Sequence, residues 1–183
     1  CRTYWLLASA YEQLRDWVSA EFCYCLALDY WADLDPVMQR HIYMRLSYVF
    51  YYQNRWDESI VALKHARSLY HSVGDTLLCE TCDYIIACCY VKLNYYDWAD
   101  QYLRNATFNN LGFLEDALND PDLVPLFVIE RYYSYYIILW NNFCSLYCEI
   151  DDTSQSSQGN RHQNKDGVDG ILNDEARKIW ESG

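Results

Sequence analysis

Apolar residues along this chain recur at intervals of three and four, not two. In "YWLLASAYEQLRDWVSAEFCYCLAL", from Tyr4, the pair Leu7–Ala8 is followed by Tyr11. Then come a polar break, Leu14-Arg15-Asp16, and the series Trp17, Ala20, Tyr24 and Ala27. Such spacing puts large and small residues on one face of a helix, and the break predicts a tight turn between two helices. The same order returns from Tyr43 as Leu46, Ser47, Phe50, the break Gln53-Asn54-Arg55, then Trp56, Ser59, Leu63 and Ala66. It returns again from Asp83 as Ile86, Ala87, Tyr90, the break Leu93-Asn94-Tyr95, then Tyr96, Ala99, Leu103 and Ala106. The offsets are 39 and then 40 residues. Small residues let neighbouring helices approach closely, and the aromatics fill the space beside them. Each unit therefore reads as an antiparallel helical hairpin. One hairpin cannot bury both of its faces, so the units must stack. The predicted fold is all-α, an α-solenoid of stacked hairpins.

These residues resemble the tetratricopeptide repeat family over about residues 4–108, with helical continuation to about 150. The period exceeds the family's usual one of about 34 residues. The excess falls after the last small residue of a unit, between Ala27 and Tyr43 and between Ala66 and Asp83. It predicts a lengthened second helix or exit loop. Asp83 also stands where the other two units have Tyr.

The resemblance implies that the first helix of each hairpin lines a concave groove. It assigns Arg2, Trp5, Ser9, Glu12 and Gln13 there from the first unit, and His41, Met44, Tyr48, Tyr51 and Tyr52 from the second. The third would supply Thr81, Tyr84, Cys88, Val91 and Lys92. Family members that clamp a terminal carboxylate carry Lys, Asn, Asn, Lys and Arg. The matching positions here are Trp5, Ser9, Arg45, Thr81 and Ile85, and only Arg45 is basic, which argues against that role. The implied partner-binding set is Trp5, Ser9, Met44, Tyr48, Tyr51, Tyr52, Tyr84 and Cys88. Aromatic rings with polar tips suit a protein or peptide partner. The plainer alternative is that these rings pack between hairpins.

Beyond the repeats, a short helix is expected over about Leu111–Leu118. It should end near "NDPD", because Pro121 disfavours helix just before it. A longer helix over about Val124–Ile150 follows. The expected organisation is a repeat domain over 1–150, a flexible polar linker over 151–168 and a short amphipathic helix over 169–183. In that last helix Leu172, Ala176, Ile179 and Trp180 share a face suited to docking, and the groove of the same chain is one place for it. The chain opens at Cys1 inside a helical pattern, which reads as a segment of a longer polypeptide.

Composition narrows the function classes. Of the net charge of −12, residues 151–183 carry −3 and residues 1–150 carry −9. An acidic body argues against nucleic acid, which needs clustered Lys and Arg. A helical-repeat module stacking its Tyr and Trp on RNA bases is the alternative reading. The most apolar run, Tyr132–Cys148, is broken by Asn141 and Asn142 and reads as a buried helix, so no membrane span is expected. Nine cysteines in helix-like runs suggest free thiols and a reducing compartment, cytoplasm or nucleus. Cys79-Glu-Thr-Cys82 has zinc-like spacing but no second pair, so no metal or other cofactor is expected. Among the phosphate-loop, nucleophile-elbow, dinucleotide and zinc-protease signatures none occurs, and an enzyme is not expected. Asn105-Ala-Thr107 matches a glycosylation sequon, but Ala106 holds a packing position.

Overall fold

The computed structural model describes residues 2–30, 36–108, 110 and 112–154. They fall into two compact units, Cys1–Asn110 and Leu111–Gly183. The first unit holds α1 (Arg2–Gln13), α2 (Trp17–Asp29), α3 (Pro36–Tyr52), α4 (Trp56–Ser72), α5 (Thr76–Lys92) and α6 (Tyr96–Phe108). Consecutive helices pack as the hairpins α1/α2, α3/α4 and α5/α6, and the hairpins stack through α2 against α3 and α4 against α5. Among the described residues there is no strand.

The turns explain why the hairpins are so tight. Arg15, Asn54 and Asn94 adopt left-handed backbone with φ of 58°, 60° and 61°, and Gly74 does so at 75°. In the first turn Arg15 N–H donates to the Glu12 carbonyl at 3.0 Å and Asp16 N–H to the Tyr11 carbonyl at 2.9 Å. This pair of bonds closes the helix end and satisfies two orphan carbonyls. It recurs at Asn54–Arg55, Gly74–Asp75 and Asn94–Tyr95. The next residue then starts the following helix; Asp16 and Asp75 accept from the backbone N–H of Ser19 and Leu78. Gly74 needs its freedom of φ, and the two Asn residues tolerate the same conformation better than most side chains.

The repeat register holds to the atom. Ala8, Ser47 and Ala87, then Ala20, Ser59 and Ala99, then Ala27, Ala66 and Ala106 are all at 0% exposure. These nine contacts set how closely the helices approach. Where serine replaces alanine its hydroxyl is paired: Ser47 donates to the Met44 carbonyl at 2.6 Å and Ser59 to the Ser47 carbonyl at 2.9 Å. Tyr24, Leu63 and Leu103, between the small positions, are also fully buried, and each leucine contributes about 1.5–3 kcal/mol by leaving water.

The extra residues of the second unit do not form a long exit loop. The turn between α4 and α5 is Val73-Gly74-Asp75, as short as the turns within hairpins. The added length is shared by the last turns of α4 after Ala66 and the first turns of α5 before Asp83.

The second unit holds α7 (Gly112–Asn119), α8 (Val124–Phe127) and α9 (Glu130–Ser154). The single long helix expected from Val124 is broken. With Pro125 in its first turn, α8 ends after one turn, and Phe127 meets Tyr136 of α9 edge to face, centroids 5.3 Å apart. Helix α9 continues through Asp151–Ser154, into the segment expected as linker. The rest of that segment and the expected C-terminal helix, with Leu172, Ala176, Ile179 and Trp180, lie outside the described residues. Among the described residues no helix is long and apolar enough to cross a membrane.

Candidate functional site

The first helices of the hairpins, α1, α3 and α5, carry all eight residues proposed to meet a partner, and the structure sorts them into three groups. Trp5, Ser9, Tyr48 and Tyr84 are half-buried. Trp5 rests against the core shared by the first two hairpins, and Tyr48 against the core shared by the second and third. Met44 and Cys88 are buried, at 7% and 3% exposure, and present almost nothing to a partner. Tyr51 and Tyr52 sit at the end of α3, beside the turn. Tyr52, 59% exposed, stacks on Trp17 at 4.7 Å between centroids, and Tyr51 meets Trp56 edge to face at 4.8 Å. These two rings therefore close the seams at the turn edge.

Why Met44 and Cys88 turn inward follows from the stack. A helix in the middle packs against its own hairpin partner and a neighbouring hairpin. Helix α5 buries nine residues and α3 six, whereas α1 buries one, Ala8. The stripe left facing outward on α3 and α5 is correspondingly narrow, and Tyr48 and Tyr84 occupy it.

Of the half-buried rings, Tyr48 is held by a polar network. Arg45 of α3 binds Glu12 of α1 through both nitrogen positions, Nη2 to Oε1 at 2.6 Å and Nε to Oε2 at 3.0 Å. A guanidinium in this fork geometry is held in orientation as well as attracted. Tyr24, fully buried, donates to the same Glu12 oxygen at 2.8 Å. Its phenol is pushed well up, first by burial and then by the Glu12 charge it faces. The Arg45 guanidinium also lies over the Tyr48 ring at 5.9 Å. Burial raises the Tyr48 phenol too, with Arg45 opposing. Arg45, the sole base at the clamp-like positions, is thus already engaged by Glu12.

A second aromatic cluster was not marked by the sequence reading. Tyr90 of α5 gathers Tyr95, Trp98 and Tyr102, with centroids at 6.4, 6.2 and 5.5 Å. Lys64 of α4 lies over both Tyr90 and Tyr102, at 5.9 and 5.8 Å. Its signal was present in the chain as Tyr95-Tyr96 and Trp98 beside the third break, but periodicity alone assigns those rings to packing.

The buried thiols of α5 are inert in character. Cys79 and Cys82 lie inside α5; burial raises the first and pushes the second up to about 12. Cys79 Sγ donates to the Arg67 carbonyl and Cys89 Sγ to the Ser59 hydroxyl, each at 3.6 Å. Neutral buried thiols lack the thiolate that metal binding and redox exchange require. Among the described residues no three His, Cys, Asp or Glu side chains gather as a metal set.

No protein-family profile matches the chain, and no curated protein matches it. Among solved structures, the chain is similar to the apo form of RapI, at 15% sequence identity and a TM-score of 0.36, over 99% of this chain and 83% of that one.

Proposed function

We propose that this chain is a protein-interaction module, a scaffold or assembly subunit, that takes a partner helix or extended peptide along the face formed by α1, α3 and α5. The observation that carries the reading is the row of half-buried rings, Trp5, Tyr48 and Tyr84, one on each first helix. The Glu12–Arg45–Tyr24 network fixes its middle. Rings already held in place lose little freedom when a partner lands on them, and such rings dominate interface energies. In this reading the role is binding, without catalysis and without a cofactor, in a cytoplasmic or nuclear setting.

The test is affinity capture with the full chain and with a Tyr48→Ala/Tyr84→Ala variant whose circular dichroism matches the parent. The expected result is that polypeptides retained by the parent are lost from the variant, while Trp98→Ala keeps them. Equal retention by parent and double variant sinks the proposal. The alternative, an RNA or nucleoprotein module, makes a different demand: retention that falls steeply with salt.

The C-terminal segment enters as its own part of the proposal. With Leu172, Ala176, Ile179 and Trp180 on one face, it is a candidate to occupy the same row of rings and hold it closed. Hydrogen exchange over residues 44–52 should rise in Trp180→Ala. Unchanged protection there rules out occupancy by the tail.

A further inference from the structure

The first hairpin departs from the other two in one respect. In the repeat register, Thr3, Leu7 and Ala10 of α1 match Ile42, Leu46 and Val49 of α3 and Cys82, Ile86 and Cys89 of α5. On α3 these positions are 0%, 5% and 0% exposed, and on α5 all are 0%. In the second hairpin they join the core shared with the first, beside Ala20, Tyr24 and Ala27 of α2. In the third they join the core shared with the second, beside Leu63, Ala66 and Tyr70 of α4. Position by position, they are what a hairpin presents to the second helix of the hairpin before it.

On α1 the same three positions lie open. Thr3 and Ala10 are exposed, and Leu7 is 43% exposed where its counterparts are at 5% and 0%. The opening continues at Leu6 (56%) and Leu14 (76%). Leu14 stands where Gln53 does in the next unit, and Gln53 reaches back to the Trp17 carbonyl and to Glu21 of the preceding hairpin. On α2, Val18 is 73% exposed where the second hairpin has Asp57, while Phe22 is 64% exposed much as its counterpart Val61 is at 56%. Outside those three positions this end is more apolar than its counterpart one unit on: Leu6, Leu14 and Val18 stand where Arg45, Gln53 and Asp57 do. An end-capping hairpin would be expected to turn polar residues outward, and exposed leucines at a stacking end mark an interface.

We infer that the outer face of the first hairpin is a stacking surface that receives a further helical hairpin in the same repeat register. The occupant's second helix carries small residues seven apart, as α2 does with Ala20 and Ala27 and α4 with Ser59 and Ala66. The argument is continuity: the two described interfaces use this face, and the first hairpin presents it again with nothing described upon it.

The test keeps the full chain and places a copy of residues 36–80 directly before Arg2. This sets a copy of α4 where the inferred occupant belongs. A control carries residues 76–80 alone, since these lengthen α1 without supplying a second hairpin. Amide exchange in α1 is then measured by mass spectrometry. The full fusion should exchange at least ~10-fold more slowly in α1 than the control, because a packed helix opens far less often than an end helix. Ala10→Glu in the fusion should abolish the difference. Equal exchange in fusion and control overturns the inference. So does either of two findings on the natural chain. One is a concentration-dependent dimer broken by Ala10→Glu, which makes a second copy the occupant. The other is faster α1 exchange on deleting residues 169–183, which makes the chain's own tail the occupant.

Discussion

Asp83 is the residue that fits its repeat register least well, and its environment gives a sharp test of how the hairpins are held. Its side chain is 3% exposed, and Arg67 Nε of α4 lies 2.6 Å from its Oδ1. Burial raises the Asp83 carboxyl above its ordinary value, and Arg67 pulls it back down. Arg67→Leu removes the pull and leaves a buried charge without its partner. For a wholly buried pair that costs ~3–5 kcal/mol. Arg67 is 39% exposed, so solvent already screens part of the interaction and about 2–3 kcal/mol is expected. At this chain length that is a fall in Tm of roughly 4–12 °C. The pH dependence has a definite sign. Without Arg67 the native carboxyl rises further above the unfolded value, so the native state binds a proton where the unfolded chain does not. Stability of the variant therefore increases as pH falls from neutrality toward the ordinary carboxylate range. Urea unfolding followed by circular dichroism, near neutral pH and about two units lower, should show the gap to the parent narrowing on acidification. Arg67→Leu/Asp83→Leu should recover most of the loss, since no buried charge remains. A gap that is constant with pH, or a double variant as unstable as the single, would refute this account of the α4/α5 seam.

Three further outcomes follow from the turns, the thiols and the buried phenols. Arg15→Gly should stabilise the chain by about 1 kcal/mol, read by urea unfolding, because Arg15 holds a left-handed φ of 58° at a C-terminal cap where glycine carries no steric cost. Thiol titration of the native protein at mildly alkaline pH should label the exposed Cys25 early, while Cys23, Cys79, Cys82, Cys88 and Cys89 react only on unfolding. Early labelling of Cys82 would show that α5 opens more readily than its packing implies. Tyr70, raised to about 12 chiefly by burial, keeps its proton where an unfolded tyrosine with an ordinary value of 10 has lost it. The native state then holds more protons than the unfolded one, so stability should fall as pH climbs from about 10 to 12, and Tyr70→Phe should flatten that fall.

The hairpins were legible because small residues at fixed spacing have one physical use: all nine of them came out fully buried. The breaks were legible for a similar reason, since a left-handed residue and the start of the next helix follow one another within three positions at Arg15, Asn54 and Asn94. The partner of Asp83 was not legible. Arg67 reaches it from the preceding helix, and ion pairs are chosen by side-chain reach, which hydrophobic periodicity does not encode. The break between α8 and α9 was missed because the apolar pattern runs on through Val128–Ile129, and Phe127 packing on Tyr136 decides the path. Of the eight candidate site residues, the sequence placed all on first helices. It could not separate Met44 and Cys88 from Tyr48 and Tyr84, because how much of α3 and α5 stays outward depends on both neighbours at once.

The central claim is that the outward rings of α1, α3 and α5 meet a polypeptide. Photocrosslinking tests it most directly, with p-benzoylphenylalanine replacing Tyr48 or Tyr84 in the full chain and, as a control, Val73 in the exposed turn after α4. The account predicts protein adducts from positions 48 and 84 and none of the same size from 73. Adducts to RNA, or adducts from 73 alone, would contradict it.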